Sequence, residues 1–186
     1  MTRRPPGSTL FPSTTLFRSP SSNMRLGSGI CRVREMLDRG ANVGLAVDGS
    51  ASNDASDMLG EARQALLLQR VRYGSAGINA REVLGIATSG GARILGYDDA
   101  GTMELGALAD IAMFDVMKLE YAGALSDPAA ALLFSGYNHG VDHLIVNGKM
   151  VVRDGRLTGA NEESIRDNAN KCAKRLLEKA GIKAGW

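Results

Sequence analysis

Histidine and cysteine are scarce in this chain of 186 residues, which holds two of each. Cys31 and Cys172 lie far apart and fit no disulfide framework, so reduced thiols in a cytoplasmic protein are expected. His139 and His143 have Gly140 between them, and in an extended chain they would lie about 13 Å apart, too far to share one ion. These residues therefore do not make a complete metal site.

Long hydrophobic runs and a strong charge of either sign are also absent. No apolar run approaches the roughly 20 residues that span a bilayer. With 22 basic and 20 acidic residues, the formal net charge is only +2. This balance gives no electrostatic reason to expect a nucleic acid or an anionic membrane as a partner. A composition of 44% hydrophobic and 23% charged residues is typical of one globular domain or two small ones.

The first 19 residues, MTRRPPGSTLFPSTTLFRS, lack both acidic residues and an apolar period. They contain no apolar core of a secretory signal, and their prolines would interrupt the amphipathic helix of an organelle transit peptide. The stretch resembles the translation of a common sequencing-library adapter, from which it differs at Thr2, Gly7 and Ser13. We therefore expect residues 1–19 to be a non-biological leader that does not pack against the rest and is mostly exposed and irregular, and the gene fragment to start near Pro20.

Residues 20–98 read as alternating helix and strand. A Ser- and Gly-rich loop over residues 20–29 precedes a short helix over 30–39 and a buried strand over 43–47. A helix capped by Ser56 or Asp57 follows, and another begins after Asn79. Because the strand is apolar throughout, it is typical of a parallel strand buried on both faces, and the order of elements predicts an α/β fold.

Residues 99–160 have a different character and predict a small β domain. Two β-rich runs surround Asn147-Gly148, the preferred two-residue type I′ hairpin turn. The C-terminal segment 161–186 is predicted to be helical. The apolar stripe expected to face inward on this helix comprises Ile165, Ala169, Cys172, Leu176 and Leu177.

Asp48 directly follows the buried strand and opens a turn rich in Gly, Ser and Asn. From the pattern alone it can be a turn residue or a helix N-cap. If the strand belongs to a (β/α)₈ barrel, Asp48 lies at the carboxyl end, where active-site residues are found.

Four stretches in order resemble the amidohydrolase superfamily, particularly the bacterial 8-oxoguanine deaminases and the hydrolases of triazine rings. GLAVDGSASNDASDMLGEARQALLLQR is similar to the last barrel strand and its helix, and PSSNMRLGSG to the loop after the seventh strand. GTMELGALADIAMFD and VDHLIVNGKMVVRDGRL are similar to the entry and the closing hairpin of the small β domain. The resemblance implies a C-terminal fragment of a (β/α)₈ metal-dependent hydrolase barrel, with part of a small β-sandwich domain and a terminal helix.

The resemblance gives Asp48 two roles, metal ligand and catalytic proton carrier. It implies a zinc cofactor, because zinc lowers the pKa of a bound water to about 7. The family's other ligands are an HxH pair and further histidines, and none of these is present in the sequence. We therefore expect the remaining ligands to lie in the missing N-terminal part of the parent, and the fragment alone to be inactive.

The polar residues of the two loops are candidates for binding a heterocycle through its ring nitrogens and carbonyls. They are Asn23, Ser50, Ser52 and Asn53. Turn chemistry is the alternative explanation for each of them. Asp54, Asp57 and Glu61 are interpreted as acids of a helix N-terminus, and Asp110 and Asp115 as structural residues of the β unit.

The parent is thus predicted to be a hydrolase of carbon–nitrogen bonds other than peptide bonds, which deaminates an aminated heterocycle such as 8-oxoguanine. A triazine-ring amino- or chlorohydrolase is the alternative within the enzyme class. A non-catalytic α/β binding module, in which Asp48 only caps a helix, is the alternative from another class. The expected partner is a small heterocyclic substrate, and a homo-oligomer is left open for the parent.

Overall fold

The computed structural model describes residues 15–136, 140–183 and 185. The chain divides into two compact units. The first unit runs to Asp110 and resumes at Asp115, and the second comprises Ile111–Phe114 and the chain from Gly140 onward. No helix of the described residues is long and apolar enough to cross a membrane.

The helices and strands of the first unit alternate along the chain. In order they are β1 (Thr15–Arg18), α1 (Pro20–Arg25), α2 (Val33–Asp38), β2 (Asn42–Leu45), α3 (Met58–Tyr73), α4 (Ala80–Gly85), a π-helical turn (Ile86–Gly90), α5 (Gly91–Ile94), a 3₁₀ turn (Leu119–Tyr121) and α6 (Pro128–Phe134). The sequence predicts that the segment carrying α6 belongs to the β domain over residues 99–160, but α6 packs against α3 and α4. The chain therefore returns to the first unit after the short segment Ile111–Phe114, which belongs to the second unit.

The first sheet is a parallel pair, with Thr15 of β1 opposite Asn42 of β2. The prediction that the leader does not pack against the rest is thus wrong for its last residues, because the Phe17 ring packs over Gly44. A strand buried on both faces leaves backbone groups to be paired at its edges, and the β-prone run TLFR satisfies one edge of β2. The same expectation for Leu10 and Phe11 concerns residues outside the described ranges, and the non-biological origin of the leader stays a prediction.

The buried strand and the loop before it also differ from the sequence prediction. β2 ends at Leu45 rather than at residue 47, although the Ala46 N–H still donates to the Arg18 carbonyl at 2.9 Å. The segment predicted as a loop begins with the short helix α1, which starts with Pro20. Proline is well suited to the first helical position, because its missing N–H would have no intrahelical partner there. Pro20 is therefore a signal in the sequence for the start of α1.

Caps fix the starts of the two longer helical stretches, as the sequence predicts. The Asp57 side chain accepts a hydrogen bond from the Gly60 N–H at the start of α3. Asn79 and Glu82 form a capping box at the start of α4. From there the chain stays helical through the π-helical turn to Ile94, despite its glycines.

Glycines on both elements allow β2 and the α4–α5 stretch to approach each other closely. A Cβ atom built on Gly90 would lie 2.4 Å from the Val43 carbonyl oxygen, and one built on Gly44 would lie 3.0 Å from the Gly91 Cα. Neither neighbour is a flexible side chain that could move away. Gly85, one turn earlier on the same helical stretch, has open space where its Cβ would be. Glycine at position 90 is therefore a packing requirement.

The second unit is an antiparallel sheet in the order β3 (Ile111–Met113), β4 (His143–Val146), β5 (Lys149–Arg153) and β6 (Arg156–Leu157), followed by α7 (Glu162–Lys179). Asn147 and Gly148 have φ angles of 49° and 73°, as the predicted type I′ turn requires. The prediction of an inward apolar stripe on the terminal helix is wrong, because no residue of α7 is buried within the described chain. Periodicity showed an amphipathic helix but not what covers its apolar face.

We predict that Gly90→Ala destabilises the fold by about 1–3 kcal/mol, because the added methyl group must push the Val43 carbonyl away. Gly85→Ala is the matched control, and it should be neutral or stabilise the helix by up to about 1 kcal/mol. The measurement is the urea midpoint of each variant by circular dichroism. Equal destabilisation by both substitutions would contradict the close-approach explanation.

Candidate functional site

Asp48 lies three residues beyond the end of β2 and is exposed to solvent. Its φ angle is 65°, in the left-handed region that residues other than glycine seldom adopt. Aspartate tolerates this conformation better than most residues, but it still carries a conformational cost. An exposed carboxylate that is held in such a conformation at a strand end is a candidate for function.

Three donors hold the Asp48 carboxylate. The Ser22 hydroxyl donates to Oδ2 at 2.7 Å, the Ser52 hydroxyl donates to the same oxygen at 3.2 Å, and the Gly49 N–H donates to Oδ1 at 2.9 Å. The hydrogen bond from Ser22, followed by those from Gly49 and Ser52, lowers the pKa of Asp48 below its usual value. Asp48 is therefore ionised at neutral pH.

This arrangement decides between the structural interpretations of Asp48. The residue is not the N-cap of the following helix, because that position belongs to Asp57. It does begin a turn, in which the Ser52 and Asn53 N–H groups donate to the Gly49 carbonyl, both at 3.0 Å. The turn orients the carboxylate, and Ser22 reaches it from α1, 26 residues earlier in the chain. Sequence reasoning did not single out Ser22, whose neighbours had been interpreted as a loop.

The four predicted substrate-binding residues fall into two groups. Asn23 is half-buried on α1, Ser50 is exposed in the turn, and neither side chain forms a hydrogen bond within the described part of the chain. Ser52 and Asn53 are both engaged. Ser52 donates to Asp48, and Asn53 is 5% exposed and lies beneath the turn. Of the four, only Asn23 and Ser50 therefore present polar side chains that have no hydrogen-bond partner among the described residues.

Asn53 is bound within the fold at both ends of its amide. Its Nδ2 donates to the Val47 carbonyl at 2.8 Å and to Oε1 of Glu61 at 2.7 Å, and its Oδ1 accepts from the Ala55 N–H at 3.3 Å. Glu61 is only 1% exposed, although the sequence analysis interpreted it as an ordinary acid of a helix N-terminus. A signal existed, since Glu61 is separated by four and eight residues from Ala65 and Gln69, which are also buried on α3.

Asp48 is suited to bind a divalent cation as one ligand of a larger set. An ionised carboxylate offers about four lone-pair positions, and the three observed donors leave one of them open on Oδ1. Among the described residues, no group of three or more His, Cys, Asp or Glu could hold a metal ion. The Nδ1 atom of His143 accepts from the Asp154 N–H at 3.3 Å, and His139 lies outside the described residues.

Comparison with known proteins shows which protein family the chain matches. Residues 9–151 match the Amidohydrolase family. The chain is 49% identical over 164 residues to the 8-oxoguanine deaminase of Pseudomonas aeruginosa. The match covers 88% of this chain and 36% of that protein. It is 37% identical to an isoxanthopterin deaminase from an unknown prokaryotic organism, over 91% of this chain and 38% of that protein.

A solved structure of similar shape is the atrazine chlorohydrolase of Arthrobacter aurescens TC1 complexed with zinc. Its TM-score is 0.80 at 34% identity, over 84% of this chain and 35% of that one. The chain thus spans little more than a third of the proteins that it matches. The likeness confirms the α/β fold class, while the closed (β/α)₈ barrel stays a prediction. On the match over residues 9–151, this chain belongs to the amidohydrolase family.

Proposed function

We propose that Asp48 is both the last metal ligand and the proton carrier of a zinc-dependent hydrolase. The observation that carries the proposal is the exposed Asp48 carboxylate, held in a left-handed conformation by three donors. A turn residue with a purely structural role has no need of a hydroxyl donor from a helix 26 residues away. The zinc in the related chlorohydrolase structure supports the choice of metal.

The proposed chemistry is hydrolytic deamination of an aminated heterocycle. Zinc, when bound, lowers the pKa of a coordinated water to about 7. The ionised Asp48, which would hold the zinc together with further ligands, would take up the proton released as water adds to the amine-bearing ring carbon and would pass it to the leaving amine. The lowered pKa of Asp48 keeps the carboxylate in the form that accepts the proton.

The proposed substrate is an aminated purine of the 8-oxoguanine type. The identity of 49% to a protein described as an 8-oxoguanine deaminase supports this choice. In the site, we assign Asn23 and Ser50 to the ring nitrogens and carbonyls, because their side chains have no partner among the described residues. Ser52 acts through Asp48, and Asn53 is given a structural role instead of the substrate contact predicted from the sequence.

A triazine-ring hydrolase is the second candidate. The TM-score of 0.80 to an atrazine chlorohydrolase favours it, since the two chains also share 34% identity. Both candidates use the same hydrolytic step and differ in the leaving group. Parallel assays of a full-length protein with 8-oxoguanine and with a chlorinated triazine distinguish them, by ammonia release in one case and chloride release in the other.

We predict that Asp48→Asn in a full-length protein containing this chain lowers kcat by about 10²- to 10⁴-fold, because it removes the proton acceptor. Zinc content should also fall. Asp54→Asn is the matched control, since it neutralises an exposed carboxylate of the same loop whose one partner within the described part of the chain is Arg25. A folded Asp48→Asn protein within about threefold of the parent rate would reject the catalytic role.

We predict that Ser22→Ala raises the pKa of Asp48 toward its ordinary value, because the Ser22 hydroxyl is the largest cause of its lowering. The ionised carboxylate stabilises the fold at neutral pH, and this contribution is lost as the pH falls through the lowered pKa. In Ser22→Ala the loss should therefore begin at a higher pH. The measurement is an NMR titration of the Asp48 carboxyl carbon in this chain.

Ser50→Ala is the control for that titration. It removes a hydroxyl from the same turn, but Ser50 makes no hydrogen bond to Asp48. Its titration midpoint should match that of the parent. If Ser22→Ala and Ser50→Ala titrate alike, the hydrogen bond from Ser22 does not determine the charge state of Asp48.

A further inference from the structure

Glu61 is a buried carboxylate with two partners from different parts of the chain. It lies on the first turn of α3 and is 1% exposed. Its Oε1 accepts from Nδ2 of Asn53 at 2.7 Å, and its Oε2 accepts from the Ser21 N–H at 3.1 Å. Because both partners are donors, the site requires a side chain with two acceptor oxygens.

The first of these contacts fixes α1. Ser21 lies in the first turn of that helix, where backbone N–H groups have no intrahelical partner. The side chain of the N-cap residue Ser19 forms no capping hydrogen bond, and the Glu61 carboxylate caps α1 from α3 instead. Ser22, the next residue of α1, donates its hydroxyl to Asp48. Glu61 therefore sets the position of the helix turn that carries this donor.

The second contact fixes the chain on the other side of Asp48. Through Nδ2, Asn53 links Glu61 to the carbonyl of Val47, the residue immediately before Asp48. The Asn53 amide cannot rotate to exchange its oxygen and nitrogen without losing the bonds to Val47 and to the Ala55 N–H. The Val47 backbone and the loop that carries Asn53 are thus both tied to the Glu61 carboxylate.

We propose that Glu61 is a positioning residue, which holds the Ser22 donor and the Val47 backbone in register so that Asp48 keeps its left-handed conformation and its open oxygen. The inference rests on the proposed function for its consequence in catalysis. Its structural part needs neither zinc nor substrate. Asn53 is the relay to the backbone, and the role replaces the interpretation of Glu61 as an ordinary acid near a helix N-terminus.

Glu61→Gln is the sharpest test, because it keeps size and shape and changes one acceptor oxygen into a donor. The new amide group must then face either the Ser21 N–H or Nδ2 of Asn53, and both are donors. One of the two links is lost. Asn53→Ser is the second variant, since it breaks the link to Val47 and leaves the one to Ser21.

The first measurement is made on this chain and uses the Gly49 amide, which donates to Asp48. In a two-dimensional NMR spectrum, Glu61→Gln and Asn53→Ser should each move the Gly49 amide proton upfield, as its hydrogen bond lengthens. The Ser21 amide should remain in place in Asn53→Ser. Gly90→Ala is the control for general destabilisation, and it should leave the Gly49 amide unmoved because it acts on the Val43 carbonyl.

The second measurement is made on a full-length protein containing this chain. Glu61→Gln should lower kcat and zinc affinity by about 10- to 100-fold, as expected when the hydrogen bonds that orient a metal ligand are disturbed. KM should rise as well, because Glu61 joins the two segments that carry Asn23 and Ser50, the residues assigned to the substrate. Gly90→Ala should retain the kcat of the parent when each protein is assayed equally far below its own melting temperature.

The outcomes separate this inference from the proposed function. A moved Gly49 amide supports the positioning role even if Asp48→Asn keeps its activity, in which case only the proposed function fails. An unmoved Gly49 amide in both folded variants overturns the inference, whatever the activity of Asp48→Asn. If Glu61→Gln does not fold, Asn53→Ser decides alone, and an unmoved Gly49 amide in that variant overturns the proposal.

Discussion

Burying a carboxylate is costly unless each of its oxygens is paired, and Glu61 meets this condition by joining two chain segments that are distant in sequence. It accepts from Ser21 of α1 and from Asn53 of the loop after β2, and these segments flank Asp48. Removing either donor would leave a buried acceptor unsatisfied, at about 1–3 kcal/mol. The need to pair one buried side chain thus fixes the loop geometry at the candidate site.

Features with local causes could be predicted from the sequence. Asp57 and Asn79 cap helices because their side chains reach N–H groups three residues ahead, and Asn147-Gly148 adopts a type I′ turn because both residues tolerate positive φ. In both cases the determining contact lies within a few residues, so the pattern of the sequence contains it. Asp48 is singled out by its place after the apolar run 43–47, but that pattern does not contain its hydrogen bond from Ser22, 26 residues earlier.

Features with distant causes could not be predicted in this way. Glu61 has the sequence pattern of an ordinary acid in a first helical turn, and only its contact 40 residues away, with Ser21, shows that it is a cap for another helix. β1 formed because β2 offered an unpaired edge, which no property of the leader alone reveals. The apolar stripe of α7 has the right period and yet is not buried among the described residues. Periodicity identifies an apolar face but leaves its partner undetermined.

The same network also constrains the side chains assigned to the substrate. Asn23 follows Ser22 on α1, and Ser50 lies in the turn between Asp48 and Ser52. Both segments are tied to Glu61, so the separation between Asn23 and Ser50 is set by the contacts that orient Asp48. A change at Glu61 would therefore move the carboxylate and one side of the binding surface together. Glu61 supports both the proton carrier, Asp48, and the segments that carry the substrate-binding side chains. The relative position of these segments can therefore be kept when the polar side chains that contact the heterocycle are changed.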